Sequence, residues 1–146
     1  MGMNDKHWQV YLAGRMSGIS HSDAIGWRYN AEKLFRGVEK YHGCKFTVIN
    51  PARYYNFKEV KYQSQREVMD FDLYHVRNSD FIVVNGKDLD KSIGTQIEIY
   101  TAWQLKIPVF VFGIEQDPHP WIDRCITRYE KSMNDVVEYI EDFYCS

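Results

Sequence analysis

Proline and cysteine are scarce, no apolar run is long, and neither sign of charge predominates; each shortage removes a class of protein. With four prolines and no low-complexity tract, the chain is neither a linker nor a disordered tail. The longest aliphatic–aromatic runs, Phe81 to Val84 and Val109 to Phe112, are four residues each, far short of the ~20 needed to cross a bilayer. Eighteen Lys and Arg against twenty Asp and Glu leave a net charge of -2, so no basic footprint for a nucleic acid polymer or a membrane surface exists. A small-molecule partner is the expectation. Three cysteines, Cys44, Cys125 and Cys145, stand far apart without CxxC spacing, which argues against a zinc site and a disulfide framework and for a reducing, cytoplasmic compartment. Met1 to Lys6 has no apolar core for an export signal and no Ser or Thr at position 6 for myristoylation.

What is present is the composition of one globular domain spanning residues 1–146, 45% apolar and 16% aromatic. His7 to Ala13 alternates and then turns apolar, a strand pattern that ends in Gly14-Arg15-Met16-Ser17-Gly18. Ala24, Trp27, Ala31, Leu34, Phe35 and Val38 recur at helical steps, with Ser20 or Ser22 as N-cap and Gly43 beyond the end. Phe46 to Ile49 reads as a strand cut off by Asn50-Pro51, followed by an aromatic, polar loop through Gln63. Glu67 to Asn78 reads as a helix, Phe81 to Asn85 as a strand, and Gly94-Thr95 opens a further helix carrying Ile97, Ala102 and Leu105. Pro108 to Phe112 is the next strand, Asp117 to Pro120 a loop, Cys125 to Tyr129 a fifth strand, and Ser132 caps a terminal helix. This alternation predicts an α/β, flavodoxin-like, doubly wound sheet of five parallel strands with helices on both faces. Ligands of such sheets bind beyond the strand C-termini, here the loops after Ala13, Ile49, Asn85 and Phe112.

Candidate chemistry falls in those loops. Gly14 and Gly18 flank Arg15 and Ser17, so backbone N–H groups and a bidentate guanidinium could hold a phosphate or carboxylate, although the spacing also fits a plain tight turn. It is neither GxGxxG nor a P-loop. Gly94-Thr95-Gln96-Ile97-Glu98 puts a carboxylate in the first turn of a helix that follows a strand-end loop, where the helix dipole favours the ionised form by ~0.3–1 kcal/mol. Such a group suits a nucleophile; a surface glutamate complementing the dipole is the competing reading. Asp72, on a helix face with His75 and Asn78, offers a second carboxylate, and two carboxylates in different surroundings can divide into nucleophile and proton donor. A salt bridge to Arg66 or Arg77 would leave Asp72 structural, and Asp70 competes with it for the role. Trp27, Tyr54, Tyr55 and Phe57 are candidates for stacking on a planar ligand, Trp27 fitting core packing better. The histidines His7, His21, His42, His75 and His119 lack metal-binding spacing, and Asp88-Leu89-Asp90 reads as polar surface.

Taken in order over positions 10 to 112, Tyr11-Leu12-Ala13-Gly14, Ile49-Asn50-Pro51, Asp72 with Asp80, and Gly94-Thr95-Gln96-Ile97-Glu98 with Ala102 resemble the nucleoside 2-deoxyribosyltransferase family and its relatives that act on nucleoside 5'-monophosphates. The resemblance implies cleavage of an N-glycosidic bond through a glycosyl-glutamate at Glu98, with Tyr11 orienting it and Asp72 protonating the departing base. It also implies substrate contacts at Gly14, Arg15, Ser17, Gly18, Asn50, Ser92 and Gly94. No metal or cofactor is required, and a homodimer or higher homo-oligomer is expected. The monophosphate hydrolases carry an Arg-bearing glycine loop and a serine before the glutamate helix, as Arg15, Ser17 and Ser92 do here. The transferases tend to have aspartate where Ser92 stands, so the hydrolase branch is favoured over base exchange. A nucleotide-binding module without turnover is the reading from another class. The phosphoribohydrolases of the lysine-decarboxylase-like group share a GTxxE element but have a PGG run that this chain lacks.

Overall fold

The computed structural model describes residues 6–16, 18–54 and 63–146, the side chain of His42 excepted. Five strands, β1 (His7–Ala13), β2 (Lys45–Ile49), β3 (Phe81–Asn85), β4 (Val109–Phe112) and β5 (Arg128–Glu130), form one sheet in the order β2-β1-β3-β4-β5, every pair parallel. The helices α1 (His21–His42), α2 (Gln65–Arg77), α3 (Ile93–Gln104), α4 (Pro120–Arg124) and α5 (Met133–Tyr144) lie between and after them. This is the expected flavodoxin-like layout. Single turns of 3-10 helix occupy Pro51–Arg53 and Leu89–Lys91.

Strand alternation divides the core in two. Val10, Leu12, Phe81, Val83, Phe110 and Phe112 face one side and pack with Phe35 of α1 and Val136, Val137 and Ile140 of α5. Tyr11, Ala13, Ile82, Val84, Val109 and Val111 face the other, against Val76 of α2 and Ile99 and Ala102 of α3. The central strands therefore read as continuous apolar runs because both their faces are covered. Strand order switches sides at β1, with β2 added on one side and β3 on the other, so a crevice opens beyond the carboxyl ends of β1 and β3.

Helix boundaries follow their caps. Ser20 accepts from the Asp23 N–H at 3.1 Å, and Gly43 closes α1 in the left-handed region. The second helix starts two residues before the expected Glu67, because Glu67 is the third residue of a capping box and its carboxylate accepts from the Ser64 N–H at 2.8 Å. The loop expected at Asp117 to Pro120 runs into α4, which His119 caps by accepting from the Trp121 N–H at 3.2 Å. With α4 running to Arg124, the fifth strand begins at Arg128, three residues later than expected, and Thr127 joins the sheet through Val109. Of the aromatic stretch after Pro51, residues 55–62 lie outside the described residues.

The cysteine expectation is overturned. Cys44, just before β2, and Cys145, just after α5, form a disulfide across 101 positions, leaving buried Cys125 free. Sequence spacing says nothing about this pair, since α5 folds back beside α1 and brings its end to the start of β2. The argument for a reducing compartment loses its premise. Among the described residues no helix is long and apolar enough to cross a membrane.

Candidate active site

Tyr11 is the third-last residue of β1 and points into the α2–α3 side of the sheet. Its phenol donates a hydrogen bond to Oε2 of Glu98 on α3. Together they line a cavity of about 540 Å³ with Gly14, Asp72, Lys91, Ser92, Gly94 and Arg28, a volume suited to a small-molecule ligand. Asp72 projects from α2, the connection between β2 and β3, so three separate elements converge beyond the β1 and β3 carboxyl ends.

Burial controls the electrostatics. Glu98 is only 8% exposed, and desolvation lifts its carboxyl from 4.5 to about 8, with the negative charge of Asp72 adding to the rise and Tyr11 and Arg28 opposing it. The expectation of a dipole-stabilised, ionised Glu98 is corrected on two counts. Because α3 begins at Ile93, Glu98 lies in its second turn, where the dipole has faded. Burial, the largest influence on this carboxyl, also outweighs any dipole contribution. Tyr11 is raised well above its ordinary value by burial and then by the charges of Glu98 and Asp72, so its phenol remains a donor.

Arg28 was not among the sequence candidates. It is 1% exposed, donates to the Gly14 carbonyl at 3.0 Å and to the Ala24 carbonyl, and lies over the Trp27 ring at 4.6 Å. Burial lowers its guanidinium to about 10, while Tyr11, Glu98 and Asp72 act in the opposite direction. A signal did exist: Arg28 stands four residues after Ala24 and three before Ala31, a charge inserted into the apolar stripe of α1.

The remaining candidates divide. Ser92 bonds the Thr95 hydroxyl at 2.6 Å and, with Gly94, borders the Glu98 cavity at the start of α3. Arg15 instead pairs with Asp88 at 3.0 Å and lines a neighbouring cavity of about 400 Å³ with Trp27, Asn85 and Lys87. Gly18, at φ +75°, leaves room for the Arg15 guanidinium, which a Cβ there would meet at 2.9 Å. Asn50 is buried, donates to Glu32 at 3.3 Å and caps the Pro51 turn, so it shapes the end of β2. Asp80 accepts from the Gln9 N–H at 2.8 Å, joining β3 to β1. His75 packs on Tyr54 and Phe71, and burial lowers its pKa. Trp27 packs edge-on against Phe112. Ser17, Tyr55 and Phe57 lie outside the described residues. Among the described residues no three His, Cys, Asp or Glu side chains are grouped as metal ligands.

Residues 8–111 match the domain of unknown function DUF4406. The chain belongs to the DUF4406 family. No curated protein sequence matches this DUF4406 chain. Among solved structures it is similar to a 2-deoxyribosyltransferase from Bacillus psychrosaccharolyticus, 24% identical over 90% of this chain and 91% of the other, with a TM-score of 0.66. A conserved protein from Enterococcus faecalis V583 is 17% identical over 93% and 98% of the two chains, with a TM-score of 0.75. The CMP N-glycosidase BcmB of Clostridium botulinum is 11% identical over 92% and 99%, with a TM-score of 0.54. The family resemblance drawn from the sequence is thus met by a fold that this DUF4406 domain shares with a deoxyribosyltransferase and an N-glycosidase.

Proposed function

We propose that this protein cleaves the N-glycosidic bond of a nucleoside 5'-monophosphate or deoxynucleoside by double displacement at Glu98. The observation that carries the reading is the Tyr11–Glu98 hydrogen bond in a cavity that Asp72 also lines. With Tyr11 holding Oε2, Glu98 Oε1 is the oxygen offered to the anomeric carbon. As the Oε1–C1' bond forms, the C1'–N bond breaks and its electron pair leaves with the base, which takes a proton from Asp72. Water then attacks C1', gives a proton to Asp72 and returns Glu98 as a carboxylate. The sugar keeps its configuration. Lys91, Ser92 and Gly94 at the amino end of α3 suit a 5'-phosphate, since that helix end and a lysine both favour an anion. Serine at position 92 supports hydrolysis over base exchange.

The test is incubation of the wild-type chain and Glu98→Ala with a panel of nucleosides and 5'-monophosphates, quantifying free base by chromatography. Release from monophosphates, abolished in Glu98→Ala, is the expected result. A new nucleoside formed from added base assigns transfer instead, and binding without any product assigns a non-catalytic module. A 2'-fluoro sugar analogue should add its glycosyl mass to the wild type; addition that persists in Glu98→Ala removes Glu98 as the nucleophile.

A further inference from the structure

Arg28 is the one buried cation among the described residues, and it lines the Tyr11–Glu98–Asp72 cavity. Its two terminal nitrogens are committed to the Gly14 and Ala24 carbonyls, yet its Nε–H has no hydrogen-bond acceptor among the described residues. A guanidinium kept only for packing is a poor choice here. An apolar side chain would cover the Trp27 ring without burying a charge or stranding an N–H. What an apolar side chain lacks is positive charge, and the cavity has need of it: the buried Glu98 carboxyl and Tyr11 phenol meet the half-buried Asp72 there. The groups facing Glu98 are Tyr11 from β1, Asp72 from α2 and Arg28 from α1, with Lys91 before α3 bordering the same cavity.

We propose that Arg28 is a positioning residue of this site, a fixed counter-cation that balances Glu98 and Asp72 and at the same time anchors the turn after β1 through the Gly14 carbonyl. The proposal rests on Glu98 acting as a carboxylate, as in the double displacement above. Arg28 touches neither the anomeric carbon nor the base; it acts through Glu98. Its guanidinium lies close enough to lower the Glu98 pKa, in opposition to Asp72. Its hydrogen bond to Gly14, 3.0 Å long, fixes the backbone that borders the cavity.

The two roles separate in two variants. Arg28→Lys keeps the charge and loses the forked geometry, whereas Arg28→Gln keeps a donor and loses the charge. The Glu98 carboxyl is titrated by carbon NMR in each, with Glu98→Gln used to assign its signal, so that no substrate is required. The expected result is a Glu98 midpoint higher by about one pH unit or more in Arg28→Gln and near the wild-type value in Arg28→Lys. On any substrate that is turned over, kcat of Arg28→Gln at neutral pH should fall about 10-fold or more while KM changes little. An unmoved midpoint in folded Arg28→Gln overturns the proposal. Should Arg28→Gln not fold, the double variant Arg28→Gln with Glu98→Gln decides: recovery of the fold supports charge balance, and continued unfolding overturns it. A chain that turns over no substrate, yet shows the shifted midpoint, overturns the proposed reaction and leaves the counter-cation standing.

Discussion

The Tyr11 phenol donates to Glu98 Oε2 across 87 positions of chain, joining the third strand residue from the end of β1 to the second turn of α3. Replacing Tyr11 by Phe removes that donor and little volume. We expect kcat/KM to fall about 10- to 100-fold, equivalent to ~1.4–2.7 kcal/mol of barrier, with little change in thermal midpoint. Equal activity in Tyr11→Phe would remove the phenol from the chemistry.

The proposed roles of Glu98 and Asp72 carry a pH dependence. On the proposed reading Glu98 must be ionised, which favours higher pH up to about 8, while Asp72 must hold a proton, which favours lower pH, so kcat/KM should pass through a maximum. A profile that stays flat through about pH 8 would remove the ionisation of Glu98 from the chemistry.

Stability should move the other way. The unfolded chain releases this proton near 4.5 and the folded chain near 8, so the folded state holds the extra proton between those values and loses stability as pH rises through them. Glu98→Gln cannot ionise. Chemical denaturation should find it more stable than the wild type above pH 8, by ~1–4 kcal/mol, with the difference shrinking toward pH 4.5.

Gly14 leaves no room for a side chain. A Cβ there would meet the Trp27 ring at 2.9 Å and Asn85 Cβ at 3.3 Å. Gly14→Ala should cost about 1–3 kcal/mol of stability, measured by urea titration, and should displace the carbonyl that Arg28 holds.

The Cys44–Cys145 bond is checked by thiol counting. Denatured without reductant, the chain should expose one thiol, from Cys125. Reduction, or replacement of both partners by alanine, should lower stability by about 2–4 kcal/mol, since a closure of 101 positions restricts the unfolded chain strongly.

Strands β1 and β3 were legible to the residue because each is an apolar run bounded by a glycine loop or an Asp-led start. Glu98 and Asp72 were legible as candidate carboxylates from their places on α3 and α2, and Tyr11 only through the family resemblance. Arg28 escaped because a lone charge within an apolar stripe is ordinarily assigned to solvent, and only the fold shows that it turns toward Gly14. Cys44 and Cys145 escaped for a related reason, their partnership existing only once α5 packs beside α1. Arg15 marks the opposite limit. Its glycine-flanked position suggested a phosphate or carboxylate contact, and the fold pairs it with Asp88 at the edge of the neighbouring cavity, which sequence spacing does not show.

Tyr11 pairs with Ile49 on one side and Ile82 on the other, while the next residue, Leu12, faces the opposite core. A slip of one position would bury the phenol beneath α1 and α5 and present leucine to Glu98. The Tyr11–Glu98 hydrogen bond is therefore as durable as the ladder that aligns it. Any excursion that unzips β1 extinguishes it outright, so loss of turnover on heating should coincide with melting of the sheet rather than precede it.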